Sequence, residues 1–218
     1  MDVSKWLSDN DIKTIKDYVE KVDLQIYLQN KELIIQTMKQ IEKLHWFYID
    51  NLQKKFNFER VGFKKFIEYL FYGKNVPTSY KKYIKKYISI YSQYKRALPR
   101  FGTIIRFNNE YLMVKNIGSN VYGFPKGKVE NNEADYQTAI RETFEETGIN
   151  ISSIIDVSKF TIIYDVKYFL IDLNNKINFN KLPFDYNEIY DRKWVKLPTL
   201  DKNILSSHAK VFMKILSI

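Results

Sequence analysis

The chain has 218 residues, enough for one large domain or two small ones, and its 45% hydrophobic content can furnish a buried core. A formal net charge of +10 favours a polyanionic partner, nucleic acid foremost, although a basic balance also serves solubility. Cysteine is absent, which excludes disulfides, thiolate metal sites and cysteine nucleophiles. The polar stretch from Met1 to Asn10 is no secretory signal, and no apolar run approaches the roughly 18–20 residues that span a bilayer. A cytoplasmic protein with no membrane partner is expected.

Helical periodicity dominates the first part of the chain. Segments 8–19, 31–55, 60–73 and 79–95 read as helices, broken by Asn30, by Phe56-Asn57 and by the Gly73–Ser79 turn region with Pro77. Within 31–55, Ile34, Met38, Ile41, His45, Tyr48 and Leu52 share one stripe, assigned to the core. Trp46 lies about 120° from that stripe, and Asp50, four residues on, falls beside it among Lys39 and Lys43. Such a tryptophan either packs on a second domain or partner, or stacks on a cationic methylated guanine whose N–H donors the aspartate accepts. His45, on the apolar stripe, reads as a buried and satisfied side chain. Along 79–95, Tyr80, Tyr83, Tyr87, Tyr91 and Tyr94 recur at three- and four-residue spacing and read as core. Lys81, Lys82, Lys85 and Lys86 then face outward, with Lys95, Arg96 and Arg100 beyond them, as a phosphate-binding surface or a solvated face.

Past Leu98-Pro99, β patterns take over. Gly102–Phe107 and Tyr111–Lys115 flank Asn108-Asn109, a hairpin signal. Further strands are expected over Lys159–Tyr164, Lys167–Leu173 and Arg192–Lys196, and a terminal helix from Ser206. A helix over 135–147 would set Glu142, Glu145 and Glu146 at i, i+3 and i+4 on one face. Ala139, Ile140, Thr143 and Phe144 fall on the other side, ready to pack against a sheet. Three crowded carboxylates repel unless a cation sits between them, and hard oxygen donors favour Mg²⁺ or Mn²⁺. The plainer alternative is a solvated acidic face. Arg141 is expected to orient the carboxylates through ion pairs, and Gly148 suits a positive-φ helix end. The Gly127 carbonyl could reach a metal, and Lys126 and Lys128 beside it could neutralise phosphate charge.

The run Tyr122-Gly123-Phe124-Pro125-Lys126-Gly127-Lys128, with Glu133, Arg141-Glu142, Glu145-Glu146 and Gly148 after it, resembles the Nudix box. Thr143 is the one departure, at a packing position usually aliphatic. Ile41-Glu42-Lys43-Leu44-His45-Trp46-Phe47-Tyr48-Ile49-Asp50 resembles the helical regulatory domain of the decapping protein 2 family, the catalytic subunits of mRNA-decapping complexes. Tyr94-Lys95-Arg96-Ala97-Leu98-Pro99 is similar to that family's hinge.

The resemblance implies an α+β chain: an all-helical domain over 1–94, a hinge over 95–100, and a Nudix α/β/α sandwich with a C-terminal helix over 101–218. It implies hydrolysis of the triphosphate bridge of capped RNA, releasing 7-methyl-GDP, with the two domains closing over the cap. Trp46 and Asp50 would bind the cap. Glu142, Glu145, Glu146 and Gly127 would hold the metal, and Lys126 would serve catalysis. Glu188, in Asn187-Glu188-Ile189 before Trp194, would act as general base, with a box glutamate such as Glu146 as the alternative. Lys210-Val211-Phe212-Met213 would supply an RNA-binding lysine and an aromatic, Phe212, for the cap's other face. RNA would also meet Lys81, Lys82, Lys85, Lys86, Lys95, Arg96 and Lys128. A decapping activator is the implied protein partner. The family's long C-terminal extension has no counterpart in this sequence, which would suit a large-DNA-virus or protist version acting in a cytoplasm. Two rivals stand beside this reading. A Nudix enzyme of free dinucleoside polyphosphates would explain the box but not the Trp46 face. A non-catalytic cap- or RNA-binding module would leave the intact glutamate set without purpose.

Overall fold

The computed structural model describes residues 30–53, 55, 57–58, 60–73, 83–130, 132–179, 181–196 and 201–216. The helix expected over 8–19 lies outside these residues, as do Tyr80, Lys81 and Lys82. The chain divides into two compact units, Met1–Ala97 and Leu98–Ile218.

The described residues of the first unit are mainly helical. α1 spans Lys31–Phe47 and opens at Asn30, whose side chain accepts the Glu32 N–H at 2.9 Å, satisfying one of the donors a helix start leaves unpaired. It continues into a π-helical turn, Tyr48–Gln53. α2 covers Phe63–Gly73 and α3 covers Ile84–Ala97. Ile34, Met38 and Ile41 of α1 meet Ile67 of α2 and Ile84, Tyr87 and Tyr91 of α3 in one core, with Tyr83 and Tyr94 packed at its edge. The tyrosine stripe, where described, is therefore core. His45 is buried and its Nε2 lies 2.6 Å from the Val61 carbonyl, the satisfied role its stripe position indicated. The apolar count slips at the π turn. Ile49 is buried and Tyr48 only half so, because the wider turn inserts a residue into the helical register and rotates the side chains beyond it.

The second unit is a six-stranded sheet: β1 (Arg100–Phe107), β2 (Glu110–Asn116), β3 (Lys126–Lys128), β4 (Phe160–Ile163), β5 (Val166–Asp172) and β6 (Ile189–Val195). Its order is β4-β5-β1-β2-β6. β1 pairs in parallel with β5 along one edge, so antiparallel β2 and β3 share the other, end to end. The hairpin turns at Asn108, whose positive φ of 50° an asparagine tolerates, and pairs Phe107 with Glu110. α4 (Asp135–Thr147) packs on β1, and α5 (Ser207–Leu216) comes after a 3₁₀ turn at Lys202–Ile204.

β1 is buried on both faces, as a central strand between layers must be. Ile104 joins Met113, Phe124, Tyr168, Ala209 and Phe212 in one core cluster. Ile105 joins Leu112, Ile149, Ile151 and Ile171 in another, against Ile140 of α4. An α/β/α sandwich results, with a helix for each face. The irregular joint between units is Leu98-Pro99, shorter than the 95–100 expected, because α3 keeps Lys95 and Arg96 helical and β1 opens at Arg100.

Phe212 is the clearest correction. Instead of facing a ligand it is 6% exposed, with its ring edge-on to Tyr111 at 5.7 Å and Phe124 at 5.4 Å. α5 turns Lys210 and Lys214 outward and uses Ala209 and Phe212, three apart, as its seam to the sheet. Phe212→Ala should accordingly cost about 3–5 kcal/mol of stability, read as a lower urea midpoint. A fully stable variant would return the ring to a surface role.

Candidate active site

The site forms where α4 passes β3. Helix α4 starts where the Ala134 N–H donates to the Gln137 side chain at 2.8 Å and ends at Gly148, whose φ is 76°. A side chain at Gly148 would press its Cβ to 2.2 Å from the Pro183 carbonyl, so glycine is required there for both reasons. Arg192, buried in β6, donates to the Thr147 carbonyl at the helix end and to the Phe179 and Leu182 carbonyls at 2.6 and 2.7 Å. The guanidinium thus ties Phe179 and Leu182 to the end of α4, where helix carbonyls favour a cation.

Arg141 is the centre of the cluster. Its Nε donates to Glu133 Oε1 at 2.7 Å, and its Nη1 to Glu142 Oε1 at 2.8 Å and Glu145 Oε2 at 2.9 Å. Its Nη2 donates to Glu133 Oε2 at 3.0 Å and to the Lys128 carbonyl at 2.8 Å. Every N–H of the guanidinium is engaged. Burial alone would lower its pKa, but the Glu133 hydrogen bond and the charges of Glu142 and Glu145 carry it above the ordinary value. The expected orienting role of Arg141 is the one it occupies. Glu133 answers in kind, its carboxyl held below the usual range by the Arg141 hydrogen bond.

Glu142 is half-buried against Gly127. A Cβ added at Gly127 would fall 2.0 Å from the Glu142 carboxylate, so this glycine makes the room in which the acid sits. Burial pushes the Glu142 carboxyl up to about 7, with Glu145 and Glu188 adding repulsion against the pull of Arg141. Glu146 is 5% exposed and accepts the Lys126 N–H at 3.0 Å. Burial raises its pKa, with further repulsion from Glu142 and Glu188 and relief from Lys126. Glu145 stays exposed, raised by burial of its inner part and by Glu130 and Asp185. The Glu188 charge therefore reaches both Glu142 and Glu146 from the turn before β6.

The face of α4 given to the sheet differs from the expected one. Ala139 and Thr143 are buried as foreseen, yet Phe144 is 48% exposed while Glu146 goes inside. Thr143 is no passive filler: its hydroxyl meets Thr103 Oγ1 at 2.7 Å in a buried pair. Thr103, Arg192 and Asp185 escaped the sequence reading, for each acts through a partner distant in the chain. The Asp185 N–H donates to the Glu145 carbonyl at 2.8 Å, tying the Glu188 turn to α4. Only its proximity to Asn187-Glu188-Ile189 hinted at it.

The donor chemistry suits a hard divalent cation: carboxylate oxygens, two of them lifted by burial and mutual repulsion that a dication would relieve. Among the described residues, however, no three Asp, Glu, His or Cys side chains are grouped to hold a metal as they stand. Arg141 engages Glu142 and Glu145, and the Lys126 amide engages Glu146, so ligation requires these carboxylates to turn.

Of the remaining expected residues, Trp46 is half-exposed on α1 and Asp50 exposed on the π turn. Lys85, Lys86, Arg96 and Lys210 are exposed, and Lys128 is half-buried. The Lys95 ammonium, part-exposed, is 3.0 Å from Glu42, which also accepts the Tyr91 hydroxyl.

Residues 97–215 match the family model described as NUDIX domain, and the chain belongs to the Nudix family. Its sequence is similar to mRNA decapping complex subunit 2 of Schizosaccharomyces pombe, 33% identical over 125 residues covering 56% of this chain and 17% of that protein. It is also similar to m7GpppN-mRNA hydrolase dcap-2 of Caenorhabditis elegans, 30% identical over 172 residues covering 73% of this chain and 22% of that one. These relatives bear out the resemblance to the decapping subunit 2 family, of whose members the chain spans only a fraction. Among solved structures it is similar to a C. elegans Ap4A hydrolase, with a TM-score of 0.43 and 26% identity over 54% of this chain and 98% of that one.

The guanidinium hub has a direct test. Arg141→Lys keeps the charge but loses the fork that reaches three glutamates and a carbonyl. The variant is expected to be less stable by about 3 kcal/mol in urea unfolding; an unchanged midpoint would mean those bonds are not made.

Proposed function

We propose that this chain removes the cap from RNA, hydrolysing the 5′ triphosphate bridge to 7-methyl-GDP and 5′-monophosphate RNA with Mg²⁺ or Mn²⁺. The observation carrying this reading is the carboxylate cluster of α4 gathered round Arg141, with Glu188 reaching it from a separate turn. The Nudix match and the decapping names of the relatives support capped RNA as the substrate class.

Glu142, Glu145 and Glu146 would hold the cation, with the Gly127 carbonyl beside Glu142 as a further oxygen donor. Bound there, a dication supplies charge neutralisation at the phosphates and a more acidic water. The chain's own residues do the rest. Arg141 keeps the carboxylates facing one another and yields them as they turn inward. Glu188, exposed and repelled by its acidic neighbours, takes the proton of the attacking water, with Glu146 as the alternative base. The Lys126 charge offsets phosphate next to Glu146. Trp46 offers a half-exposed indole to a methylated guanine and Asp50 an exposed carboxylate to its N–H donors. Lys85, Lys86, Arg96, Lys128 and Lys210 provide cations for the RNA backbone; Lys81 and Lys82 keep that role as sequence expectations. The relatives' naming as complex subunits supports a protein activator, and cytoplasmic action belongs to the same reading. Among the described residues no helix is long and apolar enough to cross a membrane.

Two outcomes test this. Glu145→Gln and Glu146→Gln should each lower turnover of cap-labelled RNA by at least about a hundredfold while RNA affinity stays near wild type; normal rates in both at saturating cation would sink the metal assignment. Trp46→Ala should lose roughly 1–3 kcal/mol of interaction with the cap, together with the wild type's preference for methylated over unmethylated caps. Equal losses on both caps with a lower melting temperature would make Trp46 structural, and turnover of free dinucleoside polyphosphates alone would select that rival.

A further inference from the structure

Two large aromatic rings stand in solvent on either side of Glu188. Tyr186, two residues before it, is 65% exposed, and Tyr190, two residues after it, is 70% exposed. Both are also braced. Tyr186 lies 4.1 Å from the Phe184 ring, which in turn lies 4.1 Å from the Arg192 guanidinium that pins the end of α4. Tyr190 begins a ladder of alternating rings and cations. The Lys115 ammonium is 5.1 Å from its centroid and 5.8 Å from that of Tyr122, and the Lys193 ammonium caps Tyr122 at 3.9 Å. The Tyr122 hydroxyl is held by Asp191.

The placement comes from strand geometry. The Ile117 N–H donates to the Glu188 carbonyl at 2.7 Å, extending the β2–β6 ladder by one step beyond its Asn116–Ile189 pair. Ile189 is buried between the exposed Glu188 and Tyr190, and the register shift from Lys115–Asp191 to Asn116–Ile189 leaves Tyr190 as the extra residue of a β-bulge, outside the ladder pairs. An open ring backed by the Lys115 ammonium, two residues from an acid whose charge reaches the carboxylate cluster, complements a base joined to phosphate: the ring takes the base face and the ammonium the negative charge.

We propose that Tyr190, seconded by Tyr186, stacks a nucleobase of the single-stranded RNA next to the hydrolysed bridge, with Lys115 at the adjoining phosphate. This subsite rests on the decapping reading above for its substrate.

Binding of a 5′-monophosphorylated single-stranded RNA, monitored by fluorescence anisotropy, tests the subsite without turnover. A second strand of equal length, carrying abasic riboses at its 5′ end, isolates the base contact. Tyr190→Leu should weaken the first strand about tenfold and leave the abasic strand unchanged, while Tyr190→Phe restores wild-type binding. Tyr186→Leu should show the same pattern to a smaller degree, and Lys115→Ala should flatten the salt dependence by about one phosphate contact. Affinity unchanged in both leucine variants, or lost equally on both strands, overturns the proposal. Capped RNA assayed beside these keeps the two readings apart. Wild-type decapping with indifferent tyrosines removes only the subsite; base-selective loss in a protein that leaves caps intact removes only decapping.

Discussion

One guanidinium organises the second unit. Arg141 spends all its donors on three glutamates and one carbonyl, and so holds α4, β3 and the loop before α4 in register. Without it Glu142 and Glu145 would repel, and Glu133 would lose the partner that keeps it ionised. A cluster so arranged is poised: its acids are gathered against their own repulsion, and a stronger cation can replace the hub as their partner.

Legibility in the sequence tracked the range of the determining interaction. The bounds of α4 and its row of carboxylates were readable because their spacing and Gly148 are local signals. The hairpin at Asn108 was readable for the same reason. Which face of α4 turns inward was not. A helical wheel gives two faces, and only the Lys126 amide and Gly127, brought by another segment, draw Glu146 and Glu142 inward and leave Phe144 in water. Phe212 failed likewise, since its rotation about α5 is set by Tyr111 and Phe124 across the sheet, although Ala209 three residues earlier carried a trace of the seam. At Tyr48 the wheel itself was wrong, for a π turn obeys no 3.6-residue count.

The basic charge is unevenly placed. Between residues 51 and 97 only Glu59 and Glu68 oppose a dense series of lysines and arginines, whereas the Nudix unit carries nearly matched charge. The excess that suggested a polyanionic partner therefore belongs to the helical unit and not to the chemistry. The acidic cluster round Arg141 thus belongs to the unit whose charges nearly cancel.

The Thr103–Thr143 pair bears on how such a chain can change over generations. Each buried hydroxyl is the other's partner. Converting one to valine strands the second in an apolar layer at a cost of about 1–3 kcal/mol, whereas converting both is close to neutral. The aliphatic pattern at this position and the threonine pair are thus two stable solutions separated by a destabilised single mutant. Passage between them calls for a coupled change in β1 and α4, so the two threonines should be inherited together.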